Sequence, residues 1–105
     1  YTIIRKQGRF ADLLLRELAW RVRDRYEAGD LHGGADALNR FRRALIDIPI
    51  GEQRSLWTLT AFIAASNYHF RIEEYQQARE FVGEGLRYNP KEEYLLHRRD
   101  LLKMY

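Results

Sequence analysis

The chain has 105 residues, 46% hydrophobic and 31% charged, with a net charge of +3 and no cysteine. That length holds one small domain, and the balance of apolar and charged residues is that of a globular chain. Disulfides, thiol nucleophiles and zinc–thiolate sites are excluded, and no apolar run approaches the roughly 20 residues needed to cross a bilayer.

Residues 1–9 contain Ile3 and Ile4 and then the break of Gly8, and read as an N-terminal arm or short helix. From Phe10 to about Tyr26 the apolar residues Phe10, Leu13, Leu14, Leu18 and Val22 recur at a helical period, with Ala19 and Trp20 on the same helix. Gly29, Gly33 and Gly34 then predict a loop. Asp36 opens a second helix whose stripe is Ala37, Leu38, Phe41, Ala44, Leu45 and Ile48, closed by Pro49. A third helix is expected from about Gln53 to Phe70, with Trp57, Leu59, Phe62, Ile63 and Ala65 as its apolar residues. The fourth runs from about Glu73 to Tyr88 and stops at Asn89-Pro90. A fifth runs from Lys91 to Met104, with Glu92 and Glu93 placed to complement its dipole and with Leu95, Leu101, Leu102 and Tyr105 facing inward. No strand pattern occurs, so the expected class is all-α.

The third and fourth helices share a further regularity. Phe62-x2-Ala65-Ser66-x2-His69, Ala78-x3-Val82 and Pro90 follow the tetratricopeptide spacing of a bulky-small-small-aromatic first helix, a small residue where the helices cross, and a closing proline. Tyr75 and Leu86 occupy further positions of that pattern. At a shift of 41 residues Ala37 falls on Ala78, Phe41 on Val82, Ala44 on Gly85, Leu45 on Leu86 and Pro49 on Pro90. The first helix meets the third at a different shift, 46, which places Ala19 on Ala65 and Trp20 on Ser66. The expected organisation is therefore two helix-turn-helix repeats, 10–49 and 53–90, the first with a lengthened turn, and a capping helix at 91–104. Stacked repeats cannot bury a face alone, so the cap has a physical purpose. A leucine at Ala78 is expected to overpack the crossing and cost about 1–3 kcal/mol.

Nothing in the sequence points to catalysis or a cofactor. His32, His69 and His97 are scattered over a loop and two helices, with no carboxylate at ligand spacing. Ser55 and Ser66 lie in no nucleophile motif, and GDLHGG follows no strand and reads as a turn. The cations are 15 Arg against 3 Lys. Arg21, Arg23, Arg25, Arg40, Arg42 and Arg43 spread around their helices, without the dense basic face and aromatic platforms of a nucleic-acid binder.

Two short repeats with a cap, carrying Leu18-Ala19-Trp20, Glu52-Gln53-Arg54, Asn67-Tyr68 and Glu74-Tyr75-x2-Ala78-x3-Val82, resemble the cytosolic domain of the mitochondrial fission 1 protein family. The resemblance covers residues 10–105. It departs from the family in the short segment before the first repeat, in Ser66 for a glycine, in His69 for a tyrosine and in the Gly-rich loop.

What the resemblance implies is a tail-anchored, non-enzymatic adaptor on the cytosolic face of the mitochondrial outer membrane and of peroxisomes. It would recruit a dynamin-related fission GTPase, or the adaptor that links it. The C-terminal membrane anchor is expected outside this chain, which reads as a soluble core. Self-association is a further partner expectation; nucleic acid is not. The competing reading is a generic tetratricopeptide peptide-binding module, such as a co-chaperone or part of a longer repeat protein.

In stacked helix pairs the first helix of each repeat lines the concave surface. The expected partner-binding groove is Leu14, Glu17, Arg21 and Arg25 from the first helix, then Thr60, Ile63, Asn67, Phe70 and Arg71 from the third. An exposed Ile63 and Phe70 beside arginines would suit an amphipathic helix or extended peptide with acidic flanks.

Overall fold

Five helices and no strand make up the described residues, so the chain is all-α as its periodicity predicts. They are α1 (Thr2–Glu27), α2 (Leu31–Asp47), α3 (Glu52–Arg71), α4 (Tyr75–Tyr88) and α5 (Glu93–Leu102). The computed structural model describes the backbone of residues 2–48 and 52–105 and the side chains of 12–48 and 54–105. Pro49, expected as the end of the first repeat, lies outside them, as do the side chains of Ile3, Ile4 and Phe10.

Two expected boundaries move. The break at Gly8 is absent, because α1 is one helix from Thr2; a single helical glycine costs only about 1 kcal/mol, which good helix formers on both sides outweigh. Of the Gly-rich stretch only Gly29 lies in the turn, since α2 begins at Leu31 and contains Gly33 and Gly34. The cause is Asp30. Its carboxylate accepts the Gly33 N–H at 2.9 Å and caps the helix six residues before Asp36. Gly34 is used for closeness: a Cβ there would lie 2.9 Å from the Tyr26 ring. At the other end of the chain Glu92 caps α5, accepting the Leu95 N–H at 2.9 Å.

The α1–α2 and α3–α4 turns are the same turn. Gly29 N–H bonds the Tyr26 carbonyl at 3.0 Å and Asp30 N–H the Arg25 carbonyl at 2.9 Å. In the second hairpin Glu73 N–H bonds Phe70 at 3.0 Å and Glu74 N–H bonds His69 at 2.8 Å. Each is a Schellman closure, which needs its central residue in the left-handed region. Gly29 has φ 79° and Glu73 φ 65°. Every bond of the second set lies 44 residues after its counterpart. At that one shift buried residues meet buried residues: Leu18 and Phe62, Val22 and Ser66, Gly34 and Ala78, Leu38 and Val82, Phe41 and Gly85. The expected shifts of 41 and 46 are not those of the turns, and the first turn is not lengthened.

α1 packs on α2 and α3, α3 on α4, and α4 on α5. Trp20 meets Trp57 edge-on at 5.9 Å, and further along Tyr26 meets Tyr68 at 5.3 Å, so α1 and α3 run side by side in one direction. Buried Phe62 joins the hairpins, edge-on to Phe41 at 6.3 Å and stacked on Tyr88 at 5.8 Å. Such pairs contribute about 0.5–1.5 kcal/mol each beyond area burial. At the α3–α4 crossing the Ser66 hydroxyl donates to the Ala78 carbonyl at 3.0 Å, so a serine serves where a glycine was expected. On the opposite side Arg42 of α2 reaches Glu84 of α4 with two charge-assisted bonds of 2.6 and 2.5 Å.

The expected packing residues behave unevenly. Ala19, Ala37, Phe41, Phe62, Ala65, Ala78, Val82 and Gly85 are buried, and Ala44 and Tyr75 are half-buried. Trp20 is 37% exposed, in contact with Trp57 on one side and with the Arg16 guanidinium over its ring. Pro90 is exposed, acting as a stop signal without packing. On α5, Leu95 and Leu102 are fully buried, but Tyr105 is 57% exposed beyond the end of the helix and stacks on Tyr75.

Candidate partner-binding face

α3 and α5 also advance together. Arg98 of α5 bonds Asn67 and lies over the Phe70 ring, and Tyr105 then meets Phe70 edge-on at 5.0 Å. α1, α3 and α5 therefore share a direction, with α2 and α4 returning. The face that α1, α3 and α5 line carries the predicted groove residues, which the fold separates into three groups.

Asn67, Phe70 and Arg71 come together. With Glu27 and Ala64 behind them and Arg98 opposite, they line an open recess of about 480 Å³. Arg98 donates through Nη2 to the Asn67 amide oxygen, and its Cζ lies 5.4 Å from the Phe70 ring centre. Its Nε is buried without a hydrogen-bond partner among the described residues. Neither Arg71 nor Arg98 forms an ion pair with a described carboxylate.

Glu17, Arg21 and Arg25 line a second recess, of about 400 Å³, with Trp20, Asp24 and Ala28. There the charges balance: two carboxylates face two guanidiniums, and Arg25 is in addition 3.6 Å from Asp30. Trp20 carries Arg16 over its ring at 4.9 Å, a further cation–π contact.

Leu14, Thr60 and Ile63 line neither recess. Leu14 is 40% exposed on α1. The Thr60 hydroxyl bonds back to the Leu56 carbonyl at 3.0 Å, within its own helix. Ile63, expected to be exposed, is half-buried against the cluster of Ala78, Val82, Leu95 and Leu102, as Phe70 is. The physical reason is that α4 and α5 together build that cluster, and its apolar surface extends onto these two residues.

Arg98 is the residue that the repeat register misses, because that register stops at the third helix. A signal is present nonetheless. Leu95 and Leu102 are two turns apart, and Arg98 falls between them on the same side of α5, a cation inside an apolar stripe. Glu27 and Ala64 carry no comparable mark.

Of the clustered arginines, Arg23, Arg25 and Arg40 pair with Asp24, Asp30 and Asp36, and Arg42 with Glu84. These charges are consumed within the chain and do not form one basic wall. His69 is buried among Tyr26, Tyr68 and Phe81, with Nδ1 3.5 Å from Glu74. No group of three or more His, Asp or Glu side chains gathers at metal-holding distance among the described residues, and no described helix is long and apolar enough to cross a membrane. No protein family, no curated protein and no solved structure matches the chain.

Proposed function

We propose that the chain is a non-enzymatic adaptor: two tetratricopeptide-like repeats and a capping helix that present the α1–α3–α5 face to a protein partner. The observation that carries this reading is the repetition of one helical hairpin, turn for turn, at a shift of 44 residues. Stacked hairpins of this kind leave one face built from the first helix of each pair, and such faces bind peptides and helices. The partner, by the resemblance to the mitochondrial fission 1 protein family, is a dynamin-related fission GTPase or its linking adaptor. The place of action is the cytosolic side of the mitochondrial outer membrane and of peroxisomes, reached through a C-terminal apolar anchor following the domain.

Arg21 and Arg71 are exposed, one in each recess, and reversing both disturbs no packing. Purified partner is passed over immobilised chain, wild type and Arg21→Glu/Arg71→Glu, with a far-ultraviolet melt to show that both are folded. Loss of retention in the double variant is expected. A folded double variant that retains the partner as wild type does would overturn the assignment of this face.

A further inference from the structure

The recess between α3 and α5 is polar on one side and aromatic on the other, and its charges do not cancel. Arg71 and Arg98 face one carboxylate, Glu27, and neither guanidinium is paired with it. Arg23, Arg25, Arg40, Arg42 and Arg99, by contrast, each pair with a carboxylate. Arg98 is also held in place: Asn67 accepts from Nη2, the Phe70 ring lies beneath Cζ, and Nε is buried without a partner among the described residues. The guanidinium is fixed and charged, and a carboxylate is the acceptor whose charge and planar shape suit it. A rigid guanidinium, a second one at the rim and an amide beside them make a place for one carboxylate. Phe70 and Ala64 supply apolar surface next to it.

We propose that this recess is an acidic-residue subsite, taking an aspartate or glutamate side chain of a partner peptide with an apolar residue next to it. The proposal rests on the adaptor reading, since a free carboxylic acid would use the guanidiniums but not the apolar surface.

The test is a nuclear magnetic resonance titration of the Arg98 Nε–H, the Asn67 side-chain amide and the Phe70 backbone amide. The probes are acetyl-Ala-Glu-Leu-Ala-amide, the same peptide with glutamine for glutamate, and acetate. Saturable shifts at all three groups are expected with the acidic peptide alone, and Arg71→Gln or Arg98→Gln weakens binding by about tenfold or more. Arg99→Gln, which removes the same charge from outside the recess, leaves it unchanged. Should Arg98→Gln fail to fold, Arg98→Lys keeps the charge without the fork and is expected to bind more weakly than wild type.

Equal binding of the glutamine peptide, or no saturable shift at millimolar peptide, overturns the subsite. Acetate binding as tightly as the peptide overturns the peptide as its source. Retention of the GTPase is read separately, so a chain that retains it without these shifts has lost the subsite and kept the adaptor.

Discussion

Glu73 holds the position in its turn that Gly29 holds in the other, and only one of them is suited to it. Both are the left-handed residue of a Schellman closure, at φ 65° and 79°. A side chain in that conformation costs about 1–2 kcal/mol. Glycine avoids this but loses about 0.5–1 kcal/mol more backbone entropy on folding. The difference predicts that Glu73→Gly stabilises the chain by about 0.5–1 kcal/mol. Glu73 is exposed and forms no ion pair with a described residue, so its removal sacrifices little else. Gly29→Ala must do the reverse. A Cβ at Gly29 has nothing within 4 Å, so the loss is purely conformational, about 1 kcal/mol. For a domain of this size 1 kcal/mol moves the melting midpoint by roughly 4–8 °C. Thermal melts followed by urea titration decide it, with the m-value unchanged in both variants. Two shifts of the same sign would refute the equivalence of the turns.

Two helical glycines separate closeness from freedom. Gly34→Ala pushes a methyl into the Tyr26 ring and is expected to cost about 1–3 kcal/mol, while Gly83→Ala, with nothing within 4 Å, should gain about 0.5–1 kcal/mol; urea midpoints read both. Glu84→Gln removes the carboxylate from the half-buried Arg42 fork, and a loss of about 1–2 kcal/mol is expected in the same assay, with Arg42→Gln adding little more to it. Burial pushes the Tyr26 phenol above its ordinary 10.0, against the opposing pull of Arg42. The folded state thus favours the neutral ring: this stability is present in full below pH 10.0 and is lost as pH rises through the higher folded value. Tyr26→Phe should therefore flatten the alkaline decline of the melting midpoint relative to wild type.

The helices, their order and most of the core were legible because period and stop signals act locally: Asn89-Pro90 ends α4 where expected, and Phe41, Phe62 and Val82 are buried as their spacing requires. The correspondence of the two turns was not legible, for a reason that lies in helix length. α2 has 17 residues and α4 has 14. Aligning the turns requires a shift of 44, whereas aligning the helix ends, Asp47 on Tyr88, requires 41. The two differ by three residues, close to one helical turn, so an apolar stripe overlays itself almost as well either way. Pro49 and Pro90 then favour the wrong choice, since they mark ends and not turns. Backbone hydrogen bonds distinguish the two, and no residue type announces a Schellman closure that uses glutamate.

The candidate partner-binding face shows the same limit. A repeat register knows which side of α3 is free of α4, and it correctly gathers Asn67, Phe70 and Arg71. It does not know what a fifth helix will cover. The cluster that α5 completes with α4 takes part of Ile63 and of Phe70 into its packing, and α5 brings Arg98 over the Phe70 ring. What remains open on this side of the face is therefore less apolar and more cationic than the third helix alone implies. A partner that relied on burying Ile63 would find only part of it open, the rest being packed against the cluster of Ala78, Val82, Leu95 and Leu102. One that offers a carboxylate to Arg98 uses what stays open, which is why the proposed acidic subsite follows from α5 as much as from α3.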